Sequence, residues 1–155
     1  MLAIGKKVPS STVRNEHGED VSLTDHLGKW IVLYFYPKDD TPGCTKEACS
    51  FRNIHAEMEQ LGAVVIGVSK DSPEAHRKFV EKYRLNFPLW SDEEHRLIDA
   101  FGAWGERSMY GRKYMGTLRS TFIIDPEGKV GHLWEKVTPA MHGEEVLAKL
   151  KALMT

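Results

Sequence analysis

Apolar and polar positions follow two rhythms along the chain. Trp30 to Tyr36 reads WIVLYFY, a continuous run of β-branched, aliphatic and aromatic residues, and predicts a strand buried on both faces. Ala63 to Ser69, AVVIGVS, predicts a second such strand. Between them apolar residues recur at helical spacing, at Ala48, Phe51, Ile54, Met58 and Leu61. A helix is expected there from about Pro42 to Leu61, closed by Gly62. Asp71-Ser72-Pro73-Glu74 predicts the start of another helix, with Pro73 in its first turn and Phe79, Val80 and Tyr83 turned inward. FPLWSD, from Phe87, predicts a short extended piece, and EEHRLIDAFG a third helix ending near Gly102. AWGERSMYGRKYMG, residues 103–116, is glycine-rich and weakly patterned, and predicts a long loop. STFIID and KVGHLWEKV flank Asp125-Pro126-Glu127-Gly128, the composition of a hairpin turn. GEEVLAKLKALM predicts an amphipathic terminal helix, and DVSLTDHLGK, from Asp20, a short strand and one helical turn.

Strands alternating with helices, then a hairpin and a last helix, give an α/β layer architecture. Two strands joined through a helix are expected to run parallel. The order fits a thioredoxin-like fold, a central mixed β-sheet flanked by helices on both faces, in a single domain over 1–155. Composition agrees: 41% hydrophobic and 28% charged residues in 155 are ordinary globular proportions, enough for one core. A formal charge of -1 offers no basic excess for nucleic acid or anionic lipid. No apolar run approaches the roughly 18 residues of a membrane span. The opening MLAIGKKVPSS has no apolar core followed by small residues, so no secretory signal is expected, and the expected location is cytoplasmic. Two cysteines are too few for a disulfide framework. In a reducing compartment such a pair is catalytic, redox-active or simply buried.

Both cysteines fall in one stretch, PKDDTPGCTKEAC, between a strand end and a helix start. Sites in open α/β sheets form beyond the carboxyl ends of parallel strands. Thr41 suits the N-cap and Pro42 the first helical position, which puts Cys44 in the first turn. The partial positive charge of a helix start favours a thiolate there, and free amides can hold an anionic oxygen. The plain alternative is a cysteine packed as a small apolar residue, since Cys44 lies on the apolar stripe. Cys49 lies about 140° around the helix, on the polar side with Thr45, Arg52 and Asn53. Helix geometry holds the two Cα atoms roughly 8–9 Å apart. A disulfide needs about 7 Å or less, so either the pair never bonds or the helix start unwinds. Four residues intervene where dithiol reductases have two, which speaks against that role. His17, His26, His55, His76, His95, His132 and His142 show no ligand spacing, so no metal is expected and each reads as a surface or packing residue. Asp39 and Asp40 read as a solvated turn, Trp90, Trp104 and Trp134 as packing residues, and Arg119 alone as a surface ion-pair partner.

With Pro37-Lys38-Asp39-Asp40-Thr41-Pro42-Gly43-Cys44, Cys49 five residues on, and Arg119 in LRSTFIID, the chain resembles a peroxiredoxin of the bacterioferritin comigratory protein, or peroxiredoxin Q, subgroup. The resemblance runs from about Gly5 to Leu150 and includes the segment before Arg119. It implies a thiol peroxidase that reduces hydrogen peroxide and organic hydroperoxides to water and alcohols. By the same resemblance Cys44 is the peroxidatic cysteine, Thr41 offers its hydroxyl to the peroxide oxygens, and Pro37 shields the sulfur. Arg119 orients the peroxide and favours the thiolate. Cys49 is the resolving cysteine, which turns the Cys44 sulfenic acid into an intramolecular disulfide. Thioredoxin is the implied reductant, with glutaredoxin second, and a monomer without cofactor or metal is implied. Three rivals stay open. They are a single-cysteine peroxidase with Cys49 a bystander, a thiol–disulfide oxidoreductase, and a non-enzymatic redox sensor.

Overall fold

The two continuous apolar runs form the centre of the sheet. In the computed structural model, which describes residues 1–155, strand β3 (Trp30–Phe35) runs parallel to β4 (Ala63–Ser69), with Trp30 opposite Ala63 and Phe35 opposite Val68. Five of the six β3 residues are buried, which explains the missing alternation: both faces are covered. Helix α1 (Pro42–Gln60) is the crossover. β1 (Val13–Asn15), β2 (Asp20–Val21), β5 (Leu89–Ser91), β8 (Ser120–Ile124) and β9 (Val130–Trp134) complete a seven-stranded sheet in the order β2-β1-β5-β4-β3-β8-β9. β5 is parallel to β4, and β8 and β9 form the antiparallel hairpin expected around Asp125–Gly128. The sheet is therefore mixed, and the fold is the thioredoxin-like α/β arrangement.

Each face has its own core. On one side α1, α2 (Pro73–Tyr83) and α4 (His142–Leu153) cover Val32 and Tyr34 with Phe51, Met58, Phe79 and Val146. On the other, Leu33, Phe35 and Phe122 pack with Leu97 and Phe101 of the segment around α3 (Arg96–Ala100). Helix boundaries follow local chemistry. Ser72 Oγ accepts from the Ala75 amide and caps α2. α1 begins on Pro42 and stops before Gly62, whose φ is 77°. No helix is long and apolar enough to cross a membrane.

Two expectations fail. Residues 103–116 are not a long loop but most of a hairpin, β6 (Trp104–Met109) paired antiparallel with β7 (Arg112–Thr117). Its strands are largely exposed, so no apolar alternation marks them. Its two-residue turn is Tyr110-Gly111, both at positive φ (51° and 78°), where the usual signal is Asn-Gly or Asp-Gly. The third helix also starts later than expected. His95 takes a left-handed conformation, and the Asp92 carboxylate receives the Arg96 and Ile98 amides, so α3 holds only Arg96–Ala100.

Candidate active site

The register of the sheet brings two distant segments together. Phe35 at the end of β3 lies opposite Ser120 at the start of β8. Residues just after Phe35 and just before Ser120 therefore share one edge of the sheet, where α1 begins. Arg119 reaches Cys44 there, across 75 positions of sequence: its Nη2 donates to Cys44 Sγ at 3.2 Å. Its Nη1 donates to Glu47 Oε1 at 2.6 Å, one helical turn beyond the cysteine. Gly43 leaves room for this approach, since a Cβ at that position would lie 3.2 Å from Nη2.

This is a buried charge cluster. Cys44 is 2% exposed and Glu47 has no exposed surface, while the Arg119 side chain keeps 20%. Burial pushes the Glu47 carboxyl up to about 7, and the Arg119 charge pulls it back only in part. Burial opposes the charge on Arg119, but Glu47 and Cys44 outweigh it and hold the guanidinium above its ordinary value. Arg119 thus remains a fixed cation with one hydrogen-bonding arm on sulfur and one on a carboxylate. Glu47 Oε2 and the Tyr34 hydroxyl are both buried without a partner. Burial, then the charges of Glu47 and Cys44, keep the Tyr34 phenol well above its ordinary value and so neutral. His142, packed edge-on to Phe51 and bonded through Nε2 to Thr121 Oγ1 at 2.7 Å, is held down to about 4 by burial and by Arg119.

The other expected residues stand around this pair. Thr41 occupies the N-cap position, with φ -90° and ψ 154°, but its hydroxyl does not cap the helix: it donates to the Lys38 carbonyl at 2.9 Å. Pro37 lines a cleft of about 360 Å³ with Lys70, Trp104, Arg107 and Tyr114. Arg119 and Leu118 line a second cleft, and Arg107 borders both. Cys49 is half-buried on α1, and both thiols are free. The intact helix holds them apart as its geometry requires.

Three readings need correction. Arg119 is not a surface ion-pair partner; it is the bridge of the cluster. Asp39 is not solvated: its side chain is 6% exposed and meets Tyr36 and His76, whereas Asp40 does stay at the surface with Lys82. His76 and His142 are not surface residues: both are fully buried, packed against aromatic rings and hydrogen-bonded. The ligand atoms of Asp39, Asp71 and His76 lie within 4.8 Å of one another, yet the Asp39, Asp71 and His76 atoms are already engaged in hydrogen bonds to protein groups. Glu47 was the main omission. The readable signal was an acid three residues after Cys44, on the apolar side of the helix.

The chain matches the AhpC/TSA family over residues 4–133. It is similar to the peroxiredoxin Bcp of Bacillus subtilis (strain 168), 51% identical over 150 residues, covering 97% of this chain and 96% of the relative. It is 42% identical to the peroxiredoxin Bcp of Escherichia coli (strain K12), over 97% and 96% of the two chains. A crystallised cysteine-to-serine variant of PrxQ from Xylella fastidiosa superposes with a TM-score of 0.94 at 37% identity, covering 100% of this chain and 99% of that one. The bacterioferritin comigratory protein of Xanthomonas campestris, solved as a trapped intermediate/ligand complex in a study of its alkyl peroxide reduction, gives a TM-score of 0.89 at 40% identity over 96% and 98% of the two chains.

Proposed function

We propose how this chain, which belongs to the AhpC/TSA family as a Bcp/PrxQ peroxiredoxin and is a thiol-specific peroxidase, divides that activity among its residues. Cys44 is the attacking sulfur, Arg119 holds the reacting atoms, Glu47 aims Arg119, and Cys49 resolves the product. The observation that carries this reading is the Arg119 guanidinium fixed between a buried Cys44 Sγ and the Glu47 carboxylate. A full positive charge beside sulfur stabilises negative charge on it. The sulfur attacks the terminal oxygen of a hydroperoxide, the O–O bond breaks, and the leaving oxygen departs as water or an alcohol after taking a proton. Negative charge moves from sulfur to that oxygen, and preorganised donors favour such a shift. Arg119 and the free amides of the first helical turn supply them. Thr41 contributes its hydroxyl once the bond to Lys38 gives way, and Pro37 walls the approach.

The product is a sulfenic acid on Cys44. In the second step Cys49 sulfur attacks the Cys44 sulfur, an S–S bond forms, and the S–O bond breaks with loss of water. This requires the start of α1 to open, because the intact helix keeps the pair beyond bonding distance. A dithiol protein of the thioredoxin kind then reduces the disulfide by exchange, with glutaredoxin the next candidate. The substrates proposed are hydrogen peroxide and alkyl hydroperoxides, and the working form a cytoplasmic monomer. The unbroken helix that holds half-buried Cys49 away from Cys44 keeps one second reading, a single-cysteine peroxidase. Steady-state peroxide consumption separates them. Cys44→Ser is expected to fall to background with any reductant. Cys49→Ser is expected to lose turnover with thioredoxin but retain one round of peroxide reduction. Full thioredoxin-dependent turnover in Cys49→Ser would establish the second reading instead.

A further inference from the structure

The loop that leads into the cysteine helix is tied down by a histidine that no step above uses. His76 lies on α2 with no exposed surface. Its Nε2 is 2.9 Å from the carbonyl oxygen of Trp90, which can only accept, so Nε2 carries a proton. Its Nδ1 is 2.6 Å from Asp39 Oδ2. A contact that short between a ring nitrogen and a carboxylate oxygen holds a further proton between them. Asp39 Oδ1 accepts from the Tyr36 hydroxyl at 2.5 Å, and the Asp39 amide donates to Asp71 Oδ2 at 2.9 Å. Asp71 Oδ2 also receives Ser69 Oγ at 2.6 Å. Asp39 is thus fixed at three atoms: to Tyr36 at the start of its own loop, to Asp71 just beyond β4, and to His76 on α2, which reaches on to β5. It sits between Pro37 and Thr41, and the Lys38 carbonyl beside it holds the Thr41 hydroxyl. Asp40, by contrast, is anchored only at the surface, by Lys82 and Tyr83.

We infer that His76 is a positioning residue for the peroxide step: through the proton it shares with Asp39 it locks the loop carrying Pro37 and Thr41 against α2 and β5. The inference rests on Cys44 being the attacking sulfur. The lock lies on the strand side of the loop, so it fixes the wall of the sulfur pocket while leaving the first turn of α1 free to open. Its loss slows attack on peroxide, not the later exchange steps.

Rapid-quench mass spectrometry measures Cys44 oxidation by hydrogen peroxide and disulfide reduction by dithiothreitol separately. His76→Phe is expected to lower the oxidation rate about ten- to a hundredfold, since small misplacements cost that much, and to leave the reduction rate within about twofold. Asp39→Asn offers a neutral His76 Nδ1 an amide donor, keeps the Tyr36 acceptor, and is expected to recover most of the oxidation rate. Asp40→Asn, which suits the positive φ of 58° at that position, serves as the exposed control and is expected to match the native protein. In the native chain, proton NMR is expected to show a strongly downfield resonance from His76 that vanishes in Asp39→Asn, a check that needs no disruptive variant. An unchanged oxidation rate in His76→Phe, an equal fall of both rates, or absence of the downfield proton would overturn the inference. A Cys44→Ser protein that still consumed peroxide would instead overturn the assignment of the attacking sulfur, whatever His76 does.

Discussion

Glu47 is a carboxyl group with no exposed surface, one oxygen on Arg119 and the other without a partner. Burial raises its folded value to about 7, against an ordinary 4.5. Between those values the folded chain holds a proton that the unfolded chain has released. Its contribution therefore lowers stability as pH rises from about 4.5 to about 7, by about 3 kcal/mol at most. Glu47→Gln keeps an acceptor for Arg119 and removes that slope, so urea unfolding at pH 5 and pH 7.5 should show the variant gaining on the native protein at the higher pH. The same change loosens the aim of Arg119, and the rate of peroxide attack should fall about tenfold or more. His142 works with the opposite sign. Burial and Arg119 hold its folded value near 4, below the ordinary 6.5, so its contribution is present above about pH 6.5 and is lost as pH falls toward 4. His142→Gln should flatten the acid side of the stability profile, checked by unfolding at pH 4.5 and pH 7. Cys44 was legible because a cysteine behind Thr-Pro-Gly at a strand-to-helix junction is a local signal. Glu47 and His142 were not, because what makes them unusual is burial, and burial depends on what packs over them.

At the scale of elements, α1 has a loosely fastened start. Thr41 stands at the cap position, but its hydroxyl serves Lys38, so the first turn relies on backbone bonds such as the Thr45 amide to the Thr41 carbonyl at 2.8 Å. Gly43 lies within that turn. Gly43→Ala restricts the opened chain and, with Arg119 Nη2 displaced from its 3.2 Å approach to the new Cβ, stabilises the closed turn by about 0.4–1 kcal/mol. The step from sulfenic acid to disulfide should then slow about two- to fivefold. The added Cβ, close to Arg119 Nη2, should also cost some of the first step. Quenched-flow mass analysis reads both. Helices and buried strands were legible because their periods show in the sequence: α1 ends at Gln60 before Gly62, and β4 spans the whole AVVIGVS run. The β6–β7 hairpin was not. Its strands pack on little, so they carry no apolar alternation, and Tyr110 at the turn hides the Asn-Gly type of signal.

For the whole molecule, the site exists because β8 runs antiparallel beside β3. That register carries Arg119 to the edge where α1 starts, and no spacing in the sequence foretells it. The central claim is the chemical partnership of Cys44 and Cys49 across an intact helix. Its most direct test is the intact mass of the reduced chain after one equivalent of hydrogen peroxide, measured before and after adding thioredoxin. The account predicts loss of two hydrogens, reversed by thioredoxin, with the new bond mapped to Cys44 and Cys49. A lasting gain of one oxygen on Cys44, with Cys49 still a free thiol, would contradict it.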